Sequence, residues 1–472
     1  MFKYQHEESW PPLAWLASCN ENDRTITIRH GNDIDTRPDW FCEAVWDGEY
    51  ADGNFDQTST VFGTGGRVRN GLVNFVSSGF PADGLRHIKI DSTHYLSNSL
   101  VCLSALLDLH VDPWYPWYYE DFSSIDDGLD HYKKTIDTSR GSVKLTYYKN
   151  LLWDNGSLTE TDKPETGGNF DNFDAYHEFL LDSLQRLASN MHSAERPFSY
   201  DSISTSSSGY DSLAVTVLSR QLGTREVICV PEDRIGLDDS GIELIKQLGM
   251  EAFPLMRDAW RSKPYAEVPF IAGDACGRDA WLYAARDRLP RRVLLTGYFG
   301  DTIWSLKQTG DDSKSSIMSG LGGLSLTEFR LQSGFIHCPI AYLGVQAIDK
   351  IRKIGCMDDM QAWSTPCQYN RPVPRRIVEQ AGLQRGRFAL RKTAVNVHLF
   401  RRHEFDRFLA ESESFRDYMQ WLRKQSHTMQ PLPVDDYPRT TSLREVVEVP
   451  LFRHLFPWAL AHAKKNYLNP ES

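Results

Sequence analysis

The chain predicts an α/β protein in which a parallel-sheet region follows a β-rich one. Three observations carry that expectation. Before residue 165, short alternating apolar runs recur between Gly- and Asp-rich turns, with a single helical stretch among them. After residue 173, strand-like and helix-like runs alternate, as in βαβ units. At the head of that alternation a β-leaning run (Phe198, Tyr200, Ile203, Thr205) meets the small-residue turn Ser206-Ser207-Ser208-Gly209, and an apolar-periodic helix follows at once.

In the first region the expected strands are Leu13–Ala17, Thr25–Ile28, Thr60–Phe62, Leu72–Val76, Ile88–Ile90 and Val143–Tyr148. Asp47-Gly48, Asp52-Gly53, Gly65-Gly66 and Asn155-Gly156 read as turns. Ser97–Leu109 is the expected helix, with Ser97-Asn98-Ser99 able to cap Leu100, Leu103, Leu106 and Leu107. The polar, Gly-rich stretch Asp162–Asn172 reads as a linker, which divides the chain into domains 1–165 and 173–472.

Beyond the linker, Tyr176, Phe179, Leu180, Leu184, Leu187 and Met191 follow helical spacing. Arg225–Val230 and Glu251–Leu255 are expected strands. Asp238-Asp239-Ser240 opens a helical run between them that ends at Gly249. Val293-Leu294-Leu295 is a further strand, and Pro372-Val373-Pro374-Arg375-Arg376 leads into a helix (Ile377, Val378, Ala381) ending at Gly382. Val395–Ser472 is helical in pattern.

Composition narrows the function. The chain has 472 residues, 41% of them hydrophobic and 24% charged, the profile of a soluble globular protein with room for full cores. Its net charge of −11 argues against nucleic acid or an acidic membrane surface as a partner. No apolar run approaches the ~18 residues of a membrane span. The eight cysteines are scattered with no C-x-x-C pair, which fits reduced thiols in the cytoplasm better than a disulfide framework or a zinc site. The histidines after residue 395 form no H-E-x-x-H motif.

Three segments carry candidate chemistry. In Ser207-Ser208-Gly209-Tyr210-Asp211-Ser212, small residues let backbone N–H groups converge on an anion at a helix N-terminus. No Gly-Lys-Ser/Thr follows, so this is not a Walker A loop. Read by itself, it is either a phosphate cradle or a strand–helix turn capped by Asp211 or Ser212. The second segment, Thr296-Gly297-Tyr298-Phe299-Gly300-Asp301-Thr302, follows a sheet strand. It offers close backbone approach at Gly297 and Gly300 and a carboxylate at Asp301. The third, Arg371–Lys392, gathers Arg375, Arg376, Arg385, Arg387, Arg391 and Lys392. It is either a polyphosphate site or a solvated basic face.

Ser207–Ser212 resembles the SGGxDS pyrophosphate loop of N-type ATP pyrophosphatases, with serine in place of the first glycine. Its surroundings resemble the asparagine synthetases and their β-lactam synthetase relatives within that PP-loop superfamily. Gly48-Glu49-Tyr50-Ala51 with Phe55-Asp56, Gly63-Thr64-Gly65 and Tyr95–Leu100 resemble, in order, parts of the glutaminase domain of those enzymes. Gly297–Thr302 resembles their SGEGxDE segment, with Asp301 matching and Tyr298, Phe299 and Thr302 departing. The resemblance covers roughly Trp46 to Lys392. It implies a PP-loop synthetase domain behind a degenerate, Ntn-hydrolase-like domain.

Under that resemblance, Ser207, Ser208, Gly209, Asp211, Ser212 and Gly297 hold ATP, and Asp211 and Asp301 hold Mg2+. Lys392 stabilises charge on the reacting phosphate. Tyr298, paired as in β-lactam synthetases with a downstream glutamate for which Glu328 is the candidate, takes a proton from the attacking amine. Glutamine-hydrolysing members begin their mature chain with a cysteine that is its own base. Here Met1 is followed by Phe2, and Cys19 is the nearest cysteine, so no glutaminase nucleophile is recognisable. The implied activity is an AMP- and pyrophosphate-forming amide ligase joining a small-molecule carboxylate to ammonia, from solution or a separate source, or to an amine. Ring closure, as in β-lactam synthetases and lasso-peptide cyclases, is one version of it. Two alternatives stand beside this reading: a PP-loop enzyme adenylating another carbonyl, and a non-catalytic descendant that binds nucleotide or a partner.

Overall fold

The computed structural model describes residues 2–165, 168, 170–231, 239–306, 321–366, 369–384, 388, 395–425 and 447–468. They form a mixed α/β structure with a β-rich N-terminal region and a parallel sheet in the C-terminal region. No helix among them is long and apolar enough to cross a membrane.

The N-terminal region is built on two sheets. One has seven strands in the order Phe2–His6, Ile26–His30, Trp15–Asn20, Thr93–Ser97, Leu85–Ile90, Gly141–Thr146 and Thr135–Thr138. The other has six, ordered Ser157–Thr161, Asn150–Asp154, Leu72–Val76, Val61–Arg69, Trp40–Trp46 and Asp35–Thr36. Apolar residues of both sheets share one core: Trp15 sits edge-on to Phe41 at 5.0 Å and stacks on Phe75 at 6.1 Å. Such aromatic pairs bury large areas and fix the sheets relative to one another.

Two differences from the expected strands have clear physical causes. Trp40–Trp46 is buried at all seven positions, so it shows none of the alternation that marks a half-exposed strand. Gly65-Gly66, read as a turn, lies inside Val61–Arg69. A Cβ at Gly65 would stand 2.3 Å from the Phe41 carbonyl oxygen, and one at Gly66 2.6 Å from the Phe41 ring. These glycines make room for the neighbouring strand rather than for a bend.

The expected helix is Leu100–Leu107 (α1), and its cap is Ser99, whose Oγ accepts from the Cys102 N–H at 3.0 Å. The helix beyond the linker is Phe173–Met191 (α2), capped by Asn172, with Leu180, Leu184 and Leu187 buried as their spacing requires.

The linker itself is anchored. Lys163 is buried and donates to the Ser77 carbonyl at 2.7 Å and to Asn150 Oδ1 at 3.0 Å. Burial pushes its ammonium down to about 7, against ~10.4 for a free lysine. Between those values the unfolded chain holds the extra proton, so this residue makes stability rise with pH from about 7 to about 10. Lys163→Met is expected to remove that component of the slope, read from urea midpoints across this range.

The C-terminal sheet has five parallel strands: Asp201–Ser206 (β1), Glu226–Cys229 (β2), Glu251–Pro254 (β3), Arg292–Thr296 (β4) and Ile336–Pro339 (β5). Their spatial order is β3-β2-β1-β4-β5. The chain winds outward from β1 in one direction, then returns to build on its other side. In such sheets ligands bind where the winding reverses, beyond the carboxyl ends of the two central strands. Here those are β1 and β4, whose following residues are the two small-residue segments. The helical run after β2 is shorter than expected, Ile242–Gln247, because Gly241 precedes it in the left-handed region at φ +62°. C-terminal to these, Arg402–Phe408, Glu413–Gln425 and Leu455–Leu468 are helical.

Candidate functional site

β1 delivers Ser207, Ser208 and Gly209 to the N-terminus of Tyr210–Ser219 (α3). The loop is held by its own hydroxyls. Ser207 N–H donates to Ser212 Oγ at 3.0 Å, the two hydroxyls lie 2.9 Å apart, and Gly209 N–H donates to Ser207 Oγ at 3.1 Å. Ser208 N–H donates to the Asp239 carbonyl at 2.8 Å, and its hydroxyl donates to the Asp239 carboxylate. Gly209, not Asp211 or Ser212, occupies the N-cap position. Ser208 is absent from the positive-φ residues, so serine in place of glycine brings no backbone strain there.

β4 delivers the second loop against the first. A Cβ at Gly297 would stand 2.8 Å from Ser212 Cα, and one at Gly300 2.7 Å from Asp211 Cβ. Only glycine permits this approach, which brings the two loops together over the sheet. Phe299 sits at φ +65°, where the resembling segment carries glycine. That conformation costs roughly 1–2 kcal/mol. The Phe299 ring is buried and meets Tyr342 edge-on at 4.8 Å, a packing whose loss costs about 3–5 kcal/mol. Packing outweighs strain, so Phe299→Gly is expected to destabilise by roughly 2 kcal/mol in urea titration.

Both loops line one cavity of about 330 Å³ at the carboxyl ends of the strands. Ser207, Gly209, Asp211, Ser212, Gly297, Tyr298 and Asp301 all contribute to its wall. Ile228 and Val230, at the end of β2, supply an apolar side. Arg371 Nε lies 4.0 Å from Asp211 Oδ2, and Tyr369 lines the cavity beside them. Among the described residues no group of three or more His, Cys, Asp or Glu side chains could hold a metal ion. The two aspartates offer hard oxygen donors, and magnesium ordinarily takes one or two carboxylates with the rest of its shell from phosphate and water. The donor set fits an ion that arrives with a polyphosphate.

Tyr298 and Glu328 are not brought together. Glu328, in Leu326–Ser333 (α4), is buried against α1, where it accepts from Ser99 Oγ at 2.6 Å, Leu100 N–H at 2.8 Å and Val101 N–H at 3.3 Å. It neutralises the donor end of a helix in the N-terminal region and is committed there. The partner of Tyr298 is Asp279, whose Oδ1 accepts the phenol proton at 2.6 Å. Asp279 also accepts from Ser325 Oγ at 2.6 Å and Asn396 Nδ2 at 3.3 Å. Every side chain around it is a donor, which is the complement of an ionised carboxylate. Burial pushes the Asp279 carboxyl up, while the Ser325 and Tyr298 hydroxyls and the Arg278 charge oppose the shift. Burial and the Asp279 charge hold the Tyr298 hydroxyl far above its usual value, so it is a neutral phenol.

Asp279 and Asn396 are the contributors that sequence reasoning missed. Asp279 stands in Cys276-Gly277-Arg278-Asp279-Ala280-Trp281 with no periodicity or glycine pattern to mark it, and only its full burial in the fold distinguishes it. Lys392, Arg385, Arg387 and Arg391 lie outside the described residues. Cys19 is fully buried within Trp15–Asn20, where burial pushes its thiol far up, so it is not placed as a nucleophile.

No protein-family model matches this chain, and comparison with curated proteins finds no match.

Proposed function

We propose that the chain is an ATP-dependent amide ligase of the asparagine synthetase and β-lactam synthetase type, with a PP-loop synthetase fold behind a degenerate Ntn-hydrolase-like region. The observation that carries this reading is the convergence of the loops after β1 and β4 on one cavity, with Asp211 and Asp301 both on its wall.

In this reading Ile228 and Val230 flank the base, and the N-terminus of α3 with the Ser207 and Ser212 hydroxyls faces the phosphates. Asp211 and Asp301 would hold a magnesium ion, which would neutralise charge on the departing pyrophosphate. A substrate carboxylate oxygen attacks the α-phosphorus, the α–β bridging bond breaks, and pyrophosphate leaves. Ammonia or an amine then attacks the acyl carbon, and the bond to AMP breaks. The nitrogen proton passes to the Tyr298 oxygen as the phenol proton moves to Asp279, so the phenol never needs to ionise in advance. Lys392 keeps the phosphate role that its resemblance assigns. With Cys19 buried, nitrogen comes as free ammonia, from a separate source, or as an amine on a substrate.

The test is product analysis with Mg-ATP, a mixed pool of amino and dicarboxylic acids, and ammonium. AMP and pyrophosphate from the parent chain, with at least a ~100-fold loss in Asp211→Ala, is the expected result. ADP and phosphate would exclude the proposal. One observation favours a second reading, a nucleotide binder without turnover: the N–H groups of Ser207, Ser208 and Gly209 already have acceptors within the protein. Mg-ATP binding without product across the pool would favour it.

A further inference from the structure

Val395, Asn396 and His398 line the cavity from a stretch that is neither helix nor strand. Val397 and His398 are buried, so the backbone polar groups here need partners that no regular ladder supplies. A buried ion pair supplies most of them. Arg257, three residues beyond β3, donates from Nε to the Val395 carbonyl at 2.9 Å and from Nη2 to the Asn396 carbonyl at 2.7 Å. The same Nη2 lies 2.8 Å from Glu404 Oε1, and the other Glu404 oxygen accepts the His398 N–H. The Arg278 carbonyl accepts the Val397 N–H at 2.8 Å. Arg257 is 5% exposed and Glu404 2%.

A buried ion pair is costly to desolvate and adds little net stability over apolar residues of similar volume. What this pair adds is position, because it fixes an irregular backbone in one conformation. The side chain presented by that conformation is Asn396. Its Nδ2 donates to Asp279 Oδ1 at 3.3 Å, the same oxygen that accepts the Tyr298 phenol proton at 2.6 Å. Ser325 Oγ donates to the other Asp279 oxygen at 2.6 Å. The titratable and charged groups facing Asp279 are Tyr298, Arg278 and Asp274. Asn396 can donate to Oδ1 both before and after that oxygen takes a proton, so it holds the carboxyl group in place through the transfer.

We propose that Asn396 is a positioning residue for the proton relay, keeping Asp279 turned toward Tyr298, and that the Arg257–Glu404 pair is the clamp that fixes Asn396. The proposal rests on the ligase reading and adds to its second half-reaction.

The test uses the full chain with Mg-ATP, a mixed pool of amino and dicarboxylic acids, and ammonium adjusted to keep free ammonia constant across pH. Acid-dependent ATP–pyrophosphate exchange reads the first half-reaction, and amide formation reads the second. Asp279 must be ionised to take the phenol proton, so amide formation falls as pH drops through its titration, and losing a donor moves that titration upward. Asn396→Ala is expected to shift the acid limb of amide formation to higher pH. At neutral pH it should lower amide formation about 10-fold more than it lowers exchange. Asn396→Asp has the same shape but sets a second carboxylate against the first, and should shift the limb further in the same direction. The double variant Arg257→Met, Glu404→Leu leaves no lone buried charge, and should reproduce the Asn396→Ala shift. An unmoved limb in Asn396→Ala and Asn396→Asp, or exchange falling as far as amide formation, would overturn the proposal. A folded double variant that keeps the parent's limb would overturn it too. Failure of the parent chain to release AMP and pyrophosphate would instead remove the ligase reading beneath it.

Discussion

Arg330→Met is expected to destabilise the chain by about 3–5 kcal/mol, the range for removing one partner of a buried ion pair. Arg330 is fully buried on α4, in the C-terminal region, and reaches into the N-terminal one. It donates to both Glu43 oxygens at 2.7 and 3.0 Å and to Asp83 Oδ1 at 2.7 Å. Glu43 in turn accepts from Thr64 Oγ1 at 2.6 Å and Asn98 Nδ2 at 3.2 Å. Without the guanidinium, two buried carboxylates face each other with no cation between them. Denaturant titration of the variant checks the magnitude. A loss under 1 kcal/mol would mean that the two regions tolerate water at this contact. The triple variant Arg330→Met, Glu43→Leu, Asp83→Leu should recover much of the loss, because the penalty belongs to the unpaired charges.

Tyr298→Phe is expected to lower amide formation about 100-fold while leaving acid-dependent ATP–pyrophosphate exchange within a factor of a few. The split follows from the proposed order of steps, because the proton is removed only in the second half-reaction. Asp279→Asn should behave the same way, since the amide cannot take the phenol proton. Glu328→Gln provides the contrast. Its carboxylate accepts three hydrogen bonds at α1, so the substitution should cost roughly 1–3 kcal/mol of stability with both rates retained. If exchange fell together with amide formation in Tyr298→Phe, the tyrosine would belong to nucleotide binding instead of proton transfer.

Much of this architecture was legible because local chemistry marks it. Leu72–Val76 was read with its observed boundaries from alternation alone, and α2 from the spacing of Leu180, Leu184 and Leu187. The loop after β1 was legible because small residues between a strand and a helix leave few structural alternatives. Trp40–Trp46 was not, since burial on both faces erases the period of two. Gly65-Gly66 carried a turn signature for a reason that exists only across the sheet, in the Phe41 carbonyl and ring.

The acid–base pair shows the boundary most clearly. Tyr298 could be singled out because the Gly297-Tyr298 pair resembles the one that β-lactam synthetases carry at this loop. The choice of its partner depended on which carboxylate the fold brings within 2.6 Å, and that was Asp279, 19 residues upstream. Glu328, the same functional group 30 residues downstream, was drawn away by the bare N–H groups of α1. By itself the sequence determined four of the five parallel strands, the two small-residue loops, and the aspartates beside them, because these follow from neighbours along the chain. Tertiary structure alone decided which carboxylate meets Tyr298, which cation meets Glu43, and that Arg257 fastens the backbone of Val395 and Asn396. Those pairings join residues far apart in sequence, and backbone preference and periodicity carry no information across that distance.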